Sequence, residues 1–347
     1  MRPSSIRTVP SKAGEATGWT WASMRAVIVM PRHSADRSVE SSARGTRCER
    51  PARVSLHLMS KKTAPADQKP RGFPIASDWT GDVTELDPRA TPGFTAKKAQ
   101  GKKVLAARNE LLSELQERLY AQHHGQDGGR SVLLIVQGMD TSGKGGIMRH
   151  VVGAVDPQGV DITAFKAPTR AEKRHDFLWR IRRHAPASGM IGVFDRSQYE
   201  DVLIHRVRGW ADAQEIRRRY TAINAFEREL TEAGTVVVKV MLHLSRAEQG
   251  ERLKERLERP DKQWKFAPGD VDERARWEEY MEAYTRALRA TSTVGSPWTV
   301  VPADRKWYAR LTVQQLLLDA LRGIDPQWPP ADFDVTEQIE RLAETTR

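Results

Sequence analysis

Gly138, Met139, Asp140, Thr141, Ser142, Gly143, Lys144, Gly145 and Gly146 follow one another in a stretch with GxxxxGK spacing, the pattern of a loop that holds phosphate. The chemistry of such a loop is electrostatic. Backbone N–H groups left unpaired at a helix start point at an anion, glycines let the chain approach it, and a lysine neutralises charge on terminal phosphates. Gly145 stands where these loops usually offer a Ser or Thr hydroxyl to Mg²⁺, so a metal ion needs another ligand. Asp140 is the candidate, because hard Mg²⁺ prefers carboxylate and phosphate oxygens. The plainer alternative is a glycine-rich strand-to-helix turn with a solvated lysine.

A second carboxylate follows. Asp195 ends the apolar run MIGVF, which places it at the carboxyl edge of a sheet beside the loop, where open α/β folds bind ligands. Arg196 comes next, and Glu200 lies one helical turn beyond it. Asp140 and Asp195 are therefore the expected metal ligands, although an Asp in such a place also caps helices. Basic residues gather around the expected strand ends, among them Arg149, Lys166, Arg180 and Arg206. Together they suggest more positive charge than one nucleotide needs and hence a polyanionic second substrate; singly, each also fits an exposed helix face. Farther along, Arg252, Arg256, Arg259, Lys262 and Lys265 alternate with acids, with Pro260, Trp264 and Pro268 interleaved. This reads as a lid over about 246–290 that closes on phosphates and excludes water, or as a surface hairpin with Trp264 packed beneath it.

These residues need a scaffold that brings them together. The continuous apolar run 131–137 reads as a parallel strand buried on both faces. Further strands are expected at 160–165, 190–195, 235–244 and 298–303, with helices from Gly143 to about Val155, from about Glu172, over Tyr199–Arg208, Asp212–Glu232 and Trp307–Leu321. Before them, Val104, Leu111, Leu115 and Leu119 recur at helical spacing and predict one helix over 96–123, ended by Gly125 and the Gly128-Gly129 pair. The alternation predicts an α/β fold of about five parallel strands covered by helices on both faces.

Composition narrows the setting. With 347 residues, 39% hydrophobic and 29% charged, and no apolar run near the roughly 20 residues that span a bilayer, the chain reads as a soluble globular protein without a membrane partner. The single cysteine, Cys48, excludes an internal disulfide and a cysteine metal site and suits a reducing cytoplasm. A net charge of +11 points to an anionic partner. Residues 1–58 carry ten Lys/Arg against four acids; this Arg-rich, acid-poor extension reads as a transit peptide, a disordered arm, or upstream sequence translated from an early start, with Met59 as the ordinary beginning. The Pro-rich stretch 59–95 reads as an irregular surface segment, 96–330 as the catalytic domain and 331–347 as a C-terminal tail.

The stretches GMDTSGKGG (138–146), APT (167–169), HDFLWR (175–180), FDRSQYEDVLIHRV (194–207), INAFEREL (223–230), WKFAPGD (264–270), STVGSPW (292–298) and VPADRKWYARL (301–311) resemble, in order, the signatures of the polyphosphate kinase 2 family. The resemblance covers roughly residues 73–330. It implies a three-layer α/β/α P-loop kinase fold like that of thymidylate kinase, with a helical lid and dependence on Mg²⁺, Mn²⁺ being the substitute. It further implies reversible transfer of a terminal phosphoryl group between polyphosphate and adenine or guanine nucleotides, and a homo-oligomer, with no nucleic acid partner. By motif position, the Walker A acid and lysine fall on Asp140 and Lys144, and the Walker B acid and its arginine on Asp195 and Arg196. The lid arginines fall on Arg252 and Arg256, and Arg180 and Glu200 have implied roles in positioning polyphosphate and nucleotide. YEDVLI, INAFER and RKWYARL look most like the group that phosphorylates both AMP and ADP, a group that often carries Asn where this chain has Asp195.

Two other functions fit parts of the pattern. An ATP-dependent nucleoside monophosphate kinase uses the same loop, sheet and lid, and differs in failing with polyphosphate alone. A non-catalytic polyanion or nucleic-acid binder would use the basic surface and be indifferent to loss of Lys144.

Overall fold

Six strands make one sheet: β1 (Phe73–Ile75), β2 (Ser131–Gln137), β3 (Val160–Ala164), β4 (Ile191–Asp195), β5 (Thr235–His243) and β6 (Trp298–Pro302), in the order β1-β6-β5-β2-β4-β3. The computed structural model describes residues 64–126 and 128–345, so the expectation for residues 1–58 lies outside the described residues. The five expected strands are all present and mutually parallel. β1 is an addition, antiparallel to β6 with Phe73 opposite Val300. Three residues with a central Pro74 carry no strand signal, and an edge position is where proline is tolerated because its missing N–H is not needed.

β2 is the central strand and all seven of its residues are buried, which is why its sequence shows no alternation. In register, Val136 faces Asp195 on β4 and Gln137 faces Met241 on β5. The carboxyl ends of β2 and β4 thus stop side by side, and the phosphate loop and Arg196 leave from adjacent points.

The helices are α1 (Lys98–Ala107), α2 (Asn109–His123), α3 (Lys144–His150), α4 (Trp179–Arg182), α5 (Glu200–Val207), α6 (Ala213–Glu232), α7 (Arg246–Glu258), α8 (Gly269–Ala275), α9 (Trp277–Thr291), α10 (Lys306–Ile324) and α11 (Val335–Thr345). α10 lies along β2, β5 and β6, and α6 along β5. Their apolar faces join those of α2, α5 and α9 in one core.

Four expectations about helices need correction. The helix predicted over 96–123 is two, broken at Arg108, so that both α1 and α2 reach α10; the Arg108 guanidinium donates to Gln315 Oε1 (2.7 Å) and to the carbonyls of Ala66 and Gln68 (both 2.9 Å). Its buried stripe on α2 is Leu112, Leu115 and Leu119, with Leu111 only partly covered. The helix after Gly143 ends at His150 and continues as a short 3-10 turn. The one expected from Glu172 is a 3-10 turn, in which Thr169 and Glu172 bond each other's backbone N–H, followed only at Trp179 by the short α4. Finally, α9 contributes Tyr280, Met281, Tyr284 and Leu288 to the core, so it is a core helix, and only α7, α8 and their connection form the hairpin expected over 246–290.

Candidate active site

The chain turns sharply where it leaves β2. A Cβ on Gly138 would lie 2.8 Å from the Leu242 carbonyl oxygen and 2.7 Å from Ser142 Oγ, so only glycine fits this close approach. Gly143, at φ 115°, makes the second turn and caps α3. Two of the three non-glycine residues at positive φ among the described residues also belong here, Thr141 at 64° and Arg196 at 65°. Each such conformation stores roughly 1–3 kcal/mol and persists only where the surroundings impose it.

Lys144 opens α3 and curls back over the loop, donating from Nζ to Gly138 O at 2.6 Å and Met139 O at 3.4 Å. Burial pushes its ammonium below the ordinary lysine value, with Asp140 opposing. Facing it, Arg196 Nη2 donates to Asp140 Oδ1 at 3.1 Å. Burial alone would lower the guanidinium pKa, but Glu200, Asp140 and Asp195 together leave it raised. Glu200 lies behind this group, and burial lifts its carboxyl above the usual range against the pull of Arg196 and Lys144. With the Gln137 amide turned so that its nitrogen donates to Glu200 Oε1 at 3.0 Å, its oxygen accepts from Ser197 N and Oγ. The sequence-predicted group Asp140, Lys144, Asp195, Arg196 and Glu200 is thus a single mixed-charge cluster.

The cluster borders a cleft of about 490 Å³ lined by the loop from Asp140 to Gly146, by Arg149 and His150 on α3, by Asp195, and by cations from two other elements. Arg252, Arg256, Lys262, Lys265 and one acid, Glu255, come from the hairpin, Lys306 and Arg310 from α10. Burial and then the cations Arg149 and Arg252 hold Arg310 below its ordinary value. Burial, Arg310 and Arg149 do the same to His150. Glu255 answers Lys262 and, at 3.6 Å, Lys306, but Arg149 and Arg310 form no ion pair among the described residues, and this excess of positive charge suits an anion.

The hairpin is partly tied down. Arg256 Nη1 donates to Lys265 O at 3.1 Å and lies 3.4 Å from Asp270 Oδ2, and Lys262 is paired with Glu255. Trp264 is 76% exposed with the Lys265 ammonium over its ring, which removes the expectation that it packs beneath the hairpin.

Arg252 has a different place from the one expected of a lid arginine. It is buried, and its guanidinium donates to Thr141 O (2.9 Å), Ser142 O (3.2 Å), Ala303 O (2.6 Å) and Asp304 O (3.0 Å), with Nε on Glu248. With its donors engaged this way it clamps the phosphate loop to the end of β6. Arg252→Met is expected to leave those carbonyls unpaired and cost about 3 kcal/mol or more, read as a lowered denaturant midpoint with an unchanged slope; a midpoint equal to that of the native chain would contradict the clamp.

Of the remaining cations, only Arg149 lines the cleft. Lys166 is exposed on the connection after β3, Arg206 is paired with Glu282 at 3.2 Å, and buried Arg180 stands beside Asp201. Lys306 and Arg310 were not singled out from sequence, although they lie one helical turn apart at the start of α10, just after a strand end. That spacing was the available signal.

Oxygen ligands for a divalent ion are at hand. Asp140 and Asp195 line the cleft, and Thr141 Oγ1 and Ser142 Oγ are buried without a hydrogen-bond partner. No group of three or more His, Cys, Asp or Glu side chains forms a metal cluster among the described residues. One or two carboxylates are enough for Mg²⁺ when substrate phosphates and waters complete its shell, so the residues present fit that ion.

Comparison with known proteins decides the family. The sequence profile described as polyphosphate kinase 2 (PPK2) matches residues 95–329. This chain belongs to the polyphosphate kinase 2 family. It is 40% identical over 257 residues to an AMP/ADP-polyphosphate phosphotransferase of Meiothermus ruber, covering 74% of this chain and 94% of that one. It is also 40% identical over 258 residues to an ADP-polyphosphate phosphotransferase of Rhodopseudomonas palustris, covering 71% and 86%. The crystal structure of polyphosphate kinase 2 from Arthrobacter aurescens TC1 superposes with a TM-score of 0.74 at 56% identity, covering 80% of this chain and 99% of the other. The fold is therefore the P-loop kinase fold of this family of phosphotransferases, and no helix among the described residues is long and apolar enough to cross a membrane.

Proposed function

We propose that this polyphosphate kinase 2 moves the terminal phosphoryl group of inorganic polyphosphate to AMP and ADP, reversibly. The observation that carries this reading is the cleft itself: a phosphate loop continued by Arg149, Lys306 and Arg310, cations that, even with Glu255 3.6 Å from Lys306, exceed what the phosphates of one nucleotide would neutralise. The polyphosphate chain would lie along that basic wall with its terminal phosphate on the loop amides. The acceptor would approach from the side of Asp195, Arg196 and Glu200. The names of the Meiothermus and Rhodopseudomonas relatives support these acceptors.

Such a transfer needs in-line alignment and neutralisation of spread negative charge more than covalent help. Lys144 would exchange the Gly138 and Met139 carbonyls for oxygens of the transferring group, and Arg196 would bridge donor and acceptor phosphates. As the acceptor oxygen bonds to phosphorus, the bond from phosphorus to the bridging oxygen of the chain breaks, and polyphosphate shortens by one unit. The acceptor phosphate is already anionic, so no strong base is required, and no phosphoenzyme forms. Asp140 and Asp195 would hold Mg²⁺, which would supply positive charge to neutralise the phosphates.

The test is to incubate the full chain with Mg²⁺, long-chain polyphosphate and either AMP or ADP in the absence of ATP, and to resolve the nucleotides by chromatography. ADP and ATP are expected from AMP, and ATP from ADP. Product with ATP as donor but none with polyphosphate would replace this reading with an ATP-dependent nucleoside monophosphate kinase.

A further inference from the structure

The two arms of the hairpin are held in different ways. α7 sinks Arg252 and Leu253 into the body, whereas no residue of the seven-residue α8 is buried. A helix this short does not persist on its own backbone bonds, so polar ties decide where α8 stands. Part of the cleft depends on that position. The connection ahead of α8 carries Lys262 and Lys265, both lining the cleft, and Arg256 Nη1 lies 3.4 Å from Asp270 Oδ2 in the first turn of α8. Asp270 in turn stands near the reacting cluster: burial and Asp140 hold its carboxyl above the usual range, against the pull of Arg256 and Arg196.

Glu273 ties α8 to the body on two sides. Its Oε1 accepts from Arg208 Nε at 3.2 Å and also from Nη2, and its Oε2 accepts from the Tyr280 hydroxyl at 2.5 Å. Burial and the Glu273 carboxylate push the Tyr280 phenol well above its ordinary value, so the hydroxyl stays protonated and donates. Between Glu273 and Tyr280 the chain leaves helical geometry at Arg276, with φ −95° and ψ 27°. The Tyr280 contact therefore spans the break and sets the angle between α8 and α9. Arg208 caps the carboxyl end of α5, the helix that begins with Glu200, so the second contact fixes α8 against the element that also carries part of the cluster. The Glu273 side chain is only 19% exposed and that of Arg208 29%, and charge-assisted bonds shielded in this way are stronger than those of an open surface pair.

We propose that Glu273 is a positioning residue of the phosphate cleft: by latching α8 to Arg208 and Tyr280 it holds the hairpin where Lys262 and Lys265 face the polyphosphate chain. This rests on the function proposed above, which lays that chain along the basic wall. Without the latch α8 swings about Arg276 and takes the connection with it. Polyphosphate then binds only the fraction of molecules whose hairpin stands over the cleft, and its apparent affinity falls by that fraction, while the complex once formed is unaltered. The acceptor nucleotide, on the side of Asp195, Arg196 and Glu200, does not depend on these lysines.

The experiment compares the full chain with Glu273→Ala, Glu273→Gln and Tyr280→Phe in limited trypsin digestion and in steady-state kinetics. Cutting after Lys262 and Lys265, located by mass spectrometry, tracks the population in which the connection has opened. In Glu273→Ala these two cuts are expected to be about tenfold faster, with cuts elsewhere unchanged, and KM for polyphosphate about tenfold higher, with kcat and KM for AMP within about threefold of native. Tyr280→Phe, which keeps its ring in the core and loses one of the two ties, is expected to shift the same quantities less, and Glu273→Gln, whose amide oxygen still accepts, to recover part of the loss. Native cutting rates and a native polyphosphate KM in Glu273→Ala overturn the latch, as does a KM that rises equally for AMP and polyphosphate; if Glu273→Ala does not fold, Tyr280→Phe decides in the same terms. If the native chain transfers nothing from polyphosphate while the cuts after Lys262 and Lys265 still accelerate selectively, the latch stands and the choice of phosphate donor falls.

Discussion

Lys144→Met is expected to lower polyphosphate-driven nucleotide phosphorylation by roughly 10²–10³-fold, the range found when one preorganised charge donor is removed from a transition state. The side chain is almost isosteric, so the change isolates the ammonium. In the structure that ammonium has no role in holding the fold together beyond two carbonyls of its own loop, Gly138 O and Met139 O, and burial already disfavours its charge. Thermal unfolding of the variant should accordingly match or slightly exceed that of the native chain, because an unfavourable buried charge has gone. Rates of ADP and ATP formation without ATP, measured beside thermal melts, separate the two effects. A rate within tenfold of native would remove Lys144 from the chemistry, and a large drop in melting temperature would show that the loop depends on it for shape.

The phosphate loop and the strand-end Asp195 were legible in sequence because their requirements are local. A tight turn needs glycine where Leu242 O crowds Gly138, and a doubly buried strand needs an unbroken apolar run. What could not be read was the direction of long cationic side chains. Arg252 and Arg256 lie one turn apart on α7 and both line the cleft, yet the first spends its donors on the carbonyls of Thr141, Ser142, Ala303 and Asp304 while the second bonds Lys265 O and Asp270 within the hairpin. Arg180 and Arg206 lie within matching motifs, and their surroundings take them elsewhere, the first beside Asp201 and the second to Glu282. Lys306 and Arg310 enter from the far end of the chain and join the site only because β6 sits beside β5 in the sheet. The break at Arg108 has the same origin, since it depends on partners more than 200 residues away on α10. Position along the chain is a local property, whereas the partner of a guanidinium is a tertiary one.

The stretch that carries Arg196 and Glu200 is anchored from below by a buried network that the reaction does not touch. Lys239 on β5 is fully buried and pairs with Glu227 of α6 at 2.7 Å. Glu227 also accepts from Tyr199 (2.7 Å), Gln198 (3.0 Å) and Ser296 (3.1 Å), while Lys239 donates to Thr291 O at 2.6 Å and lies 5.3 Å from the Trp298 ring. Gln198 and Tyr199 fall between the two site residues, so the network sets where Arg196 and Glu200 stand. Lys239→Met removes the only cation in it and strands the Glu227 carboxylate in the core, a situation that typically costs 3–5 kcal/mol. The double variant Glu227→Gln with Lys239→Met is expected to be more stable than Lys239→Met alone, because a neutral amide oxygen still accepts from Tyr199 and Gln198 without an unpaired charge. Denaturant unfolding of both variants and of Glu227→Gln closes a double-mutant cycle. A coupling near zero would mean that the pair is an incidental neighbour; strong coupling, with kcat falling in step as the 196–200 segment loosens, would make this buried ion pair the support that aims the site's arginine.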